Sequence, residues 1–438
     1  VANIAGHEGV RARERVLREM FEVALAAVSA DRCLPPHLPQ LPKGRRLVVA
    51  IGKAGAAMAK VAMRDSPPGT QCIVLVPYDH GLPTGDLPAE AQVLEAGHPL
   101  PDQHGQDAAR LILDEVRRLG ADDQLLALVS GGGSALLVAP VEGVTLEDKR
   151  QVTQALLLSG ATISEINCVR THLSRIKGGR LAEAAHPAQV VTLAFSDVPG
   201  DDVALIASGP TMADRTTLAD ARRVIARFAL SVPSSVSAAL DDERHATPQP
   251  SSPRMARSEA RIVARSRMAL EAAGEIATVA GYTPVYLGDD LEGDAAELGI
   301  VHAALALHHQ RKGGRWALLS GGETTVTVRN PAGRGGRNST YALSLALSLN
   351  GAAGISAMAC DSDGIDGVGG HAGATLDETT LARARAASLS GGAMLRQNQS
   401  HDFFAVLDDL VFTGPTRTAV NDFRVILIDN RVDSSQYA

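Results

Sequence analysis

Short apolar runs that close on a glycine turn and give way to helix-spaced segments recur along this chain. Leu47–Ile51 has a buried-strand pattern and ends at Gly52, and Ala54–Met63 continues as a helix. Cys72–Val76 is a second strand. Residues 103–119 keep near-helical spacing through Ala108, Ile112, Val116 and Leu119. Leu125–Val129 runs straight into Gly131-Gly132-Gly133-Ser134. Thr145 with Asp148 forms a capping box that opens a helix reaching Leu158. Val190–Phe195 is a further strand. Strands that are apolar on both faces and alternate with helices predict an α/β protein whose parallel, doubly wound sheet is covered on both sides.

Before the first strand, 10–29 reads as a helix, and Pro35, Pro36, Pro39 and Pro42 make a stiff connector. The stretch 232–260 is rich in Ser, Pro, Asp and Arg and reads as a domain junction. A second alternating series follows it. Strands are expected at Ile262–Ala264, Pro284–Leu287, Trp316–Leu319, Thr324–Val328, Ile355–Ala359 and Val425–Ile428. Helices are expected at 266–280, 294–311 and 339–349. The expected organisation is a helix and connector over 1–45, a Rossmann-like domain over 46–235 and a mixed α/β domain over 236–438. The sequence does not decide which domain the N-terminal helix packs on.

Composition narrows the function. A net charge of −7 and 3% aromatic residues provide neither a basic footprint nor a stacking surface for nucleic acid. No apolar run approaches the roughly 20 residues of a membrane helix. Cys33, Cys72, Cys168 and Cys360 are scattered, without the pairing of a zinc site or disulfide framework. Glu14, Arg15, Arg18 and Glu19 break up the first helix, which therefore does not read as a secretory signal. A cytoplasmic protein with no nucleic-acid or membrane partner is expected; it could be a homodimer.

Ligands of open α/β sheets bind at the carboxyl ends of strands. Several glycine- or aspartate-rich segments fall there. Gly52-Lys53-Ala54-Gly55 opens a helix, where backbone N–H groups attract anions. Lys53 is one of only six lysines beside thirty-six arginines. It is either a solvent-facing turn residue or a contact to phosphate or carboxylate. Gly131, Gly132, Gly133 and Ser134 can present successive N–H groups as an anion nest. They form neither a Walker A loop, lacking Gly-Lys-Ser/Thr, nor a nucleophile elbow. Arg170, His172, Arg175 and Lys177 make a basic segment; Asp197, Asp201 and Asp202 make an acidic one, followed by Ser208-Gly209-Pro210. Gly322 and Glu323 lie in Ser320–Thr324, and Arg337 and Asn338 close Gly333–Asn338. Asp361–Gly367, with Asp363 and Asp366, looks like a calcium loop but has Ile365 and Ala372 where ligands belong. It could still lend one or two carboxylates to magnesium, or be a tight turn. A dinucleotide site would need Gly-x-Gly-x-x-Gly after the first strand. Here that position reads Gly52-Lys53-Ala54-Gly55-Ala56-Ala57-Met58, which has the wrong spacing.

Taken together, the motifs resemble the class II, MOFRL-type glycerate kinases. The matching segments are Ala50–Met58 (AIGKAGAAM), Gly97–Asp102 (GHPLPD), Ser130–Leu136 (SGGGSAL), Asn167–Leu181 (NCVRTHLSRIKGGRL) and Ser196–Asp201 (SDVPGD). They continue in order through Ala207–Thr211 (ASGPT), Leu319–Thr324 (LSGGET), Gly335–Asn338 (GGRN), Asp363–Gly367 (DGIDG) and Thr413–Leu427. The resemblance implies two α/β domains with the active site in the cleft between them. It implies transfer of the γ-phosphoryl group of ATP, with Mg²⁺, to the 2-hydroxyl of D-glycerate. Lys53, Asp197 and Arg337 occupy the positions of the family's functional residues. The glycines Gly52, Gly55 and 131–133, with Ser134, Arg170, Lys177, Gly322, Glu323, Asn338, Asp363 and Asp366, are candidates for nucleotide or substrate contact; metal ligands are not identified. Family members often carry a hydroxypyruvate reductase label, so an NAD(P)H-dependent reductase is the competing reading. The chain departs from the family at Ser339-Thr340, where Gln-Glu is usual, and at Val368–His371, where Pro-Thr-Asp is usual. Those departures could alter the choice of 2-hydroxy acid.

Overall fold

A computed structural model describes residues 2–83 and 85–430. The chain divides into two compact units. One comprises 30–196 and 201–264; the other takes the residues up to 29, the tetrapeptide 197–200 and the residues from 265 on.

The first unit is built on a six-stranded, wholly parallel sheet. Its strands are β1 (Arg46–Ile51), β2 (Gln71–Pro77), β3 (Ala91–Ala96), β4 (Gln124–Val129), β5 (Gln189–Phe195) and β6 (Ser258–Ala264), in the order β3-β2-β1-β4-β5-β6. Every residue of β1 and β4 is buried, as strands sandwiched between helix layers must be. The order reverses between β1 and β4, whose ends align at Ile51 and Val129. That is the topological switch point at which doubly wound sheets take their ligands. The Thr145–Asp148 capping box forms and its helix ends at Leu158 as expected.

Two expectations change here. The boundary at 235/236 moves to 264/265. Residues 234–241 form a helix whose Val236, Ala239 and Leu240 pack with Val152, Leu156, Val169 and Leu218, and β6 extends the parallel sheet from β5. The supposed junction is therefore part of the first unit. Its polarity comes from an edge: β6 alternates exposed and half-buried residues before it turns inward at Val263. β3, at the other edge, is as polar and gives no strand signal in the sequence.

The second unit holds a mixed sheet of β7 (Thr283–Asp294), β8 (Arg315–Thr325), β9 (Ile355–Asp361), β10 (Gly373–Asp377), β11 (Leu410–Val411) and β12 (Asp422–Asp429), ordered β11-β10-β9-β12-β8-β7. Only β7 and β8 run parallel; the other pairs are antiparallel. The two strands expected at Trp316–Leu319 and Thr324–Val328 are one strand, β8, ending at Thr325. Gly322 therefore sits inside a ladder rather than in a turn. Its φ is +102°, and a Cβ there would overlap the backbone of Leu291 on β7. The glycine serves close approach between strands.

The N-terminal helix (Ala2–Ala27) belongs to this second unit. Leu17, Met20, Phe21 and Ala24 are buried, and the Phe21 ring lies 5.4 Å from that of Phe423. Arg13, 3% exposed, donates to Ser356 Oγ at 2.8 Å and ion-pairs with Glu378 and Asp429 at 3.0 Å each. The segment read as 1–45 is thus shared: its helix goes to one unit, and the residues from 30 onward go to the other. All four cysteines are buried. No helix among the described residues is long and apolar enough to cross a membrane.

Arg13→Ala should destabilise the second unit by about 3 kcal/mol, the low end for breaking a buried pair, because both carboxylates keep some contact with water. Urea unfolding followed by Trp316, the chain's single tryptophan and a β8 residue, reads this directly. An unchanged midpoint would show that the helix is held by its apolar face alone.

Candidate active site

In the parallel unit, Ser130 joins the two loops of the switch point. Its N–H and Oγ both reach Ile51 O, at 2.9 and 3.1 Å, and Ala54 N–H donates back to Ser130 Oγ at 3.0 Å. Lys53 N–H donates to Gly131 O at 2.8 Å. This pairing needs Gly52, with φ +104°, because a Cβ would overlap the Ser130 carbonyl. Gly132 is left-handed, φ +83°, and the chain turns from it into a short helix at Gly133. Among the described residues, the N–H groups of Gly131 and Gly132 find no acceptor. Gly52, Gly55, Gly131, Gly132, Gly133, Ser134 and the half-buried Lys53 are thus brought to one place. Free N–H groups beside a lysine suit an oxyanion.

Lys177 has a different part from the phosphate contact expected of it. It is 1% exposed, and its ammonium donates to Ser134 O at 2.6 Å and Ser208 Oγ at 3.4 Å. Ser208 Oγ in turn lies 2.8 Å from Ser134 Oγ. Lys177 therefore braces the nest from within. Burial, then the charges of Arg170 and Lys149, hold its pKa well below the usual lysine value. Arg170 is half-buried, and desolvation lowers its pKa too. Ala207 and Ser208 both have left-handed backbones, at φ +52° and +61°. Such strain in non-glycine residues marks a segment that its surroundings hold in place. Ser208 therefore packs with the nest, a placement that its motif Ser208-Gly209-Pro210 does not by itself reveal.

The second unit has its own polar centre. Arg337 opens the helix Arg337–Leu349 and is clamped by three carboxylates: Nη1 to Glu323 at 2.8 Å, Nη2 to Asp361 at 2.7 Å and Nε to Asp422 at 2.6 Å. Burial alone would lower the pKa of Arg337; Asp361, Asp422 and Glu323 outweigh it and raise it well above the usual value. Asp422 also accepts from Asn338 Nδ2 at 2.7 Å and pairs with the buried Arg424. Arg424 and Arg337 hold the Asp422 carboxyl below its ordinary value despite complete burial. Glu323, 45% exposed, is the clamp's solvent-facing member.

Asp366 and Asp363 are structural here. Asp366, 1% exposed, caps the same helix by accepting from Asn338 N and Ser339 N at 2.8 Å each. Asp363 accepts from Ile365 N at 2.7 Å, and Asp361 from Asp363 N at 3.1 Å. The loop 361–367 is folded on itself. Among the described residues, no three His, Cys, Asp or Glu side chains converge to hold a metal ion. The departures Ser339 and Thr340 are buried and face Ser400, at 3.0 and 3.3 Å between side-chain oxygens. His371 is fully buried. Val368, Gly369 and Gly370, the rest of the departure at 368–371, are exposed.

Asp197 follows β5 but folds with the second unit. Its carbonyl accepts from Asn421 Nδ2, and the next residue, Asp422, grips Arg337. The backbone of Asp197 is thereby tied to the Arg337 clamp, and its side chain is half-buried. Asp361, Asn421 and Asp422 are absent from the residues selected by sequence. The available signal was Asp422-Phe423-Arg424: two opposite charges in an otherwise apolar strand.

The molecule is thus a two-domain α/β protein, with a glycine turn beside a lysine at the switch point of its parallel sheet. Residues 16–241 match the family described as a domain of unknown function (DUF4147), and 316–422 match the MOFRL family. A D-glycerate 2-kinase from Thermotoga maritima is 36% identical over 94% of this chain and 97% of its own length. An Agrobacterium vitis protein with a provisional hydroxypyruvate reductase name is 49% identical over 96% of this chain and 95% of its own. The crystal structure of a Thermotoga maritima glycerate kinase superposes with a TM-score of 0.83 at 35% identity, covering 95% of this chain and all of that one. The chain belongs to the class II, MOFRL-type glycerate kinase family.

Asp422→Asn should cost about 3–5 kcal/mol at neutral pH, since it leaves the buried Arg424 without its carboxylate. A carboxyl whose pKa is depressed on folding stabilises fully above its unfolded value, here 3.8, and loses that contribution as pH falls through the folded value. The gap between variant and wild type in urea unfolding should therefore narrow below that pH. A constant gap would mean that Asp422 acts by shape rather than charge.

Proposed function

We propose that this protein is a glycerate 2-kinase, transferring the γ-phosphoryl group of ATP to the 2-hydroxyl of D-glycerate. One observation carries most weight: Gly131 and Gly132 offer unpaired N–H groups beside Lys53 at the sheet's switch point. ATP supplies the phosphoryl group, and the nest with Lys53 would receive its phosphate oxygens. Phosphoryl transfer asks a protein mainly for positioning and charge stabilisation. A nest preorganised by Ser130 and braced by Lys177 suits that demand. Mg²⁺ would come with the nucleotide and neutralise its phosphate charge. Asp197 would orient the glycerate 2-hydroxyl and take its proton as the new O–P bond forms. Arg337 would contribute positive charge to glycerate, with Glu323 yielding its place in the clamp.

The relatives named glycerate kinases support this reading, and the reductase name on others does not displace it. The strand order of the first unit also occurs in dinucleotide-binding proteins, and fold alone does not decide activity. The turn after β1 does. Lys53 stands where a dinucleotide fingerprint needs close backbone approach, and the Gly-x-Gly-x-x-Gly spacing is missing.

Incubation with ATP, Mg²⁺ and D-glycerate should yield 2-phosphoglycerate by phosphorus NMR, while hydroxypyruvate should not consume NADH. The 3-phospho isomer would keep the kinase and displace Asp197 from the 2-hydroxyl; NADH consumption without phosphoester would establish the reductase. Lys53→Ala should lower kcat about a thousandfold, and Asp197→Asn about a hundredfold or more. Near-normal turnover would remove either residue from the catalytic set. Comparing kcat/KM for glycerate, tartronate and hydroxypyruvate should show glycerate preferred; a different preferred substrate would point to the departures at 339–340 and 368–371.

A further inference from the structure

A cavity of about 430 Å³ opens in the parallel unit and shares no lining residue with the glycine nest. Five arginines line it, against two glutamates, Glu142 and Glu183. Arg180 is the buried wall, 9% exposed. All its hydrogen bonds go to backbone carbonyls, those of Thr171, Ser174 and His245. The Arg175 guanidinium donates to Pro140 O, at 2.9 Å. Among the described residues, neither has a carboxylate within ion-pair distance. Arg254 is weakly held, its Nη1 lying 3.8 Å from Glu183. Arg244 is held by Asp242, outside the lining, so its charge is balanced from behind. Arg117 is similarly paired with Asp114.

Behind this wall lie Lys149 and, of opposite charge, Asp214 beside His172. The ammonium of Lys149, 7% exposed, donates to the carbonyls of Arg170 and Leu173. Burial lowers the Arg180 pKa to about 10, despite the distant fields of Glu183 and Asp214. Desolvated cations facing carbonyls instead of carboxylates are costly unless an anion completes them. Guanidinium groups are planar forks that match phosphate oxygens two at a time. The lining has no aromatic ring beyond His245, and Val141 and Ala184 are its only apolar side chains. That composition does not suit a nucleobase, and the volume suits a compact ligand.

We propose that this cavity is a binding site for a small, multiply charged phosphate compound, recognised by Arg175, Arg180 and Arg254. The site does not depend on what the nest binds. It does share a stretch of backbone with it: Lys177, between Arg175 and Arg180, reaches the nest carbonyl of Ser134.

The test uses the full chain with inorganic pyrophosphate as probe, titrated calorimetrically. Wild type and Lys53→Ala should both show a saturable site of the same affinity. Arg175→Ser with Arg254→Ser should weaken that site about tenfold or more, with turnover and thermal midpoint unchanged. Should the double variant fold poorly, Arg254→Ser alone, on an exposed turn, should still weaken binding measurably. Three results would overturn the assignment: no saturable binding to wild type, binding untouched by the arginine changes, or a site lost with Lys53→Ala alone. The last would place pyrophosphate in the nest.

Discussion

One buried carboxylate organises the second unit. Asp422 begins the sheet's central β12 and accepts from Arg337, Asn338 and Arg424, which lie on two different elements. A lone buried carboxylate would be prohibitively desolvated; two guanidinium groups and an amide make it tolerable, and in return it fixes where they can be. The start of the helix at Arg337, the end of β9 at Asp361 and Glu323 on β8 are all set by that network. Through Asn421 the same corner holds the carbonyl of Asp197. Asp197, which follows β5 in the chain, is thus held through its backbone by the Asn421 amide next to Asp422.

The first unit solves a different problem, bringing two loops close enough to act as one surface. Ser130 does so with three hydrogen bonds, and Gly52 makes room for them. Lys177 and Ser208 then hold the far side of the nest. Using a buried lysine as a brace is costly in solvation, since its pKa is driven well down. The cost is consistent with a loop whose N–H groups must stay oriented when nothing is bound. Rigid, outward-facing donors are what electrostatic stabilisation of a transferring phosphoryl group requires.

The legible parts of the fold were those where burial imposes a period. β1, β2, β4 and β5 fall within about two residues of their expected limits, because strands buried on both faces are uniformly apolar. The edge strand β3 carries polar residues and left no signal, and only the inner end of β6, Ile262–Ala264, was legible, which pushed the domain boundary some thirty residues too early. Ser320–Thr324 read as the end of one strand and the start of another because of its glycines; here Gly322 lies within β8 and lets it approach Leu291 of β7. In the site, Lys53 and the glycines were readable from their place after strands. Asp422 and Asp361 were not, because their roles depend on which strands become neighbours.

The sequence by itself determined the α/β class, the strands of the parallel sheet and the glycine turns at their carboxyl ends, since each follows from local period and backbone freedom. Tertiary structure alone decided the partners. It set three carboxylates around Arg337, turned Lys177 inward, assigned Asp366 to cap a helix and gave the first helix to the second unit. Those outcomes rest on side chains brought together from positions 14 to 416 residues apart, and no local pattern encodes such meetings.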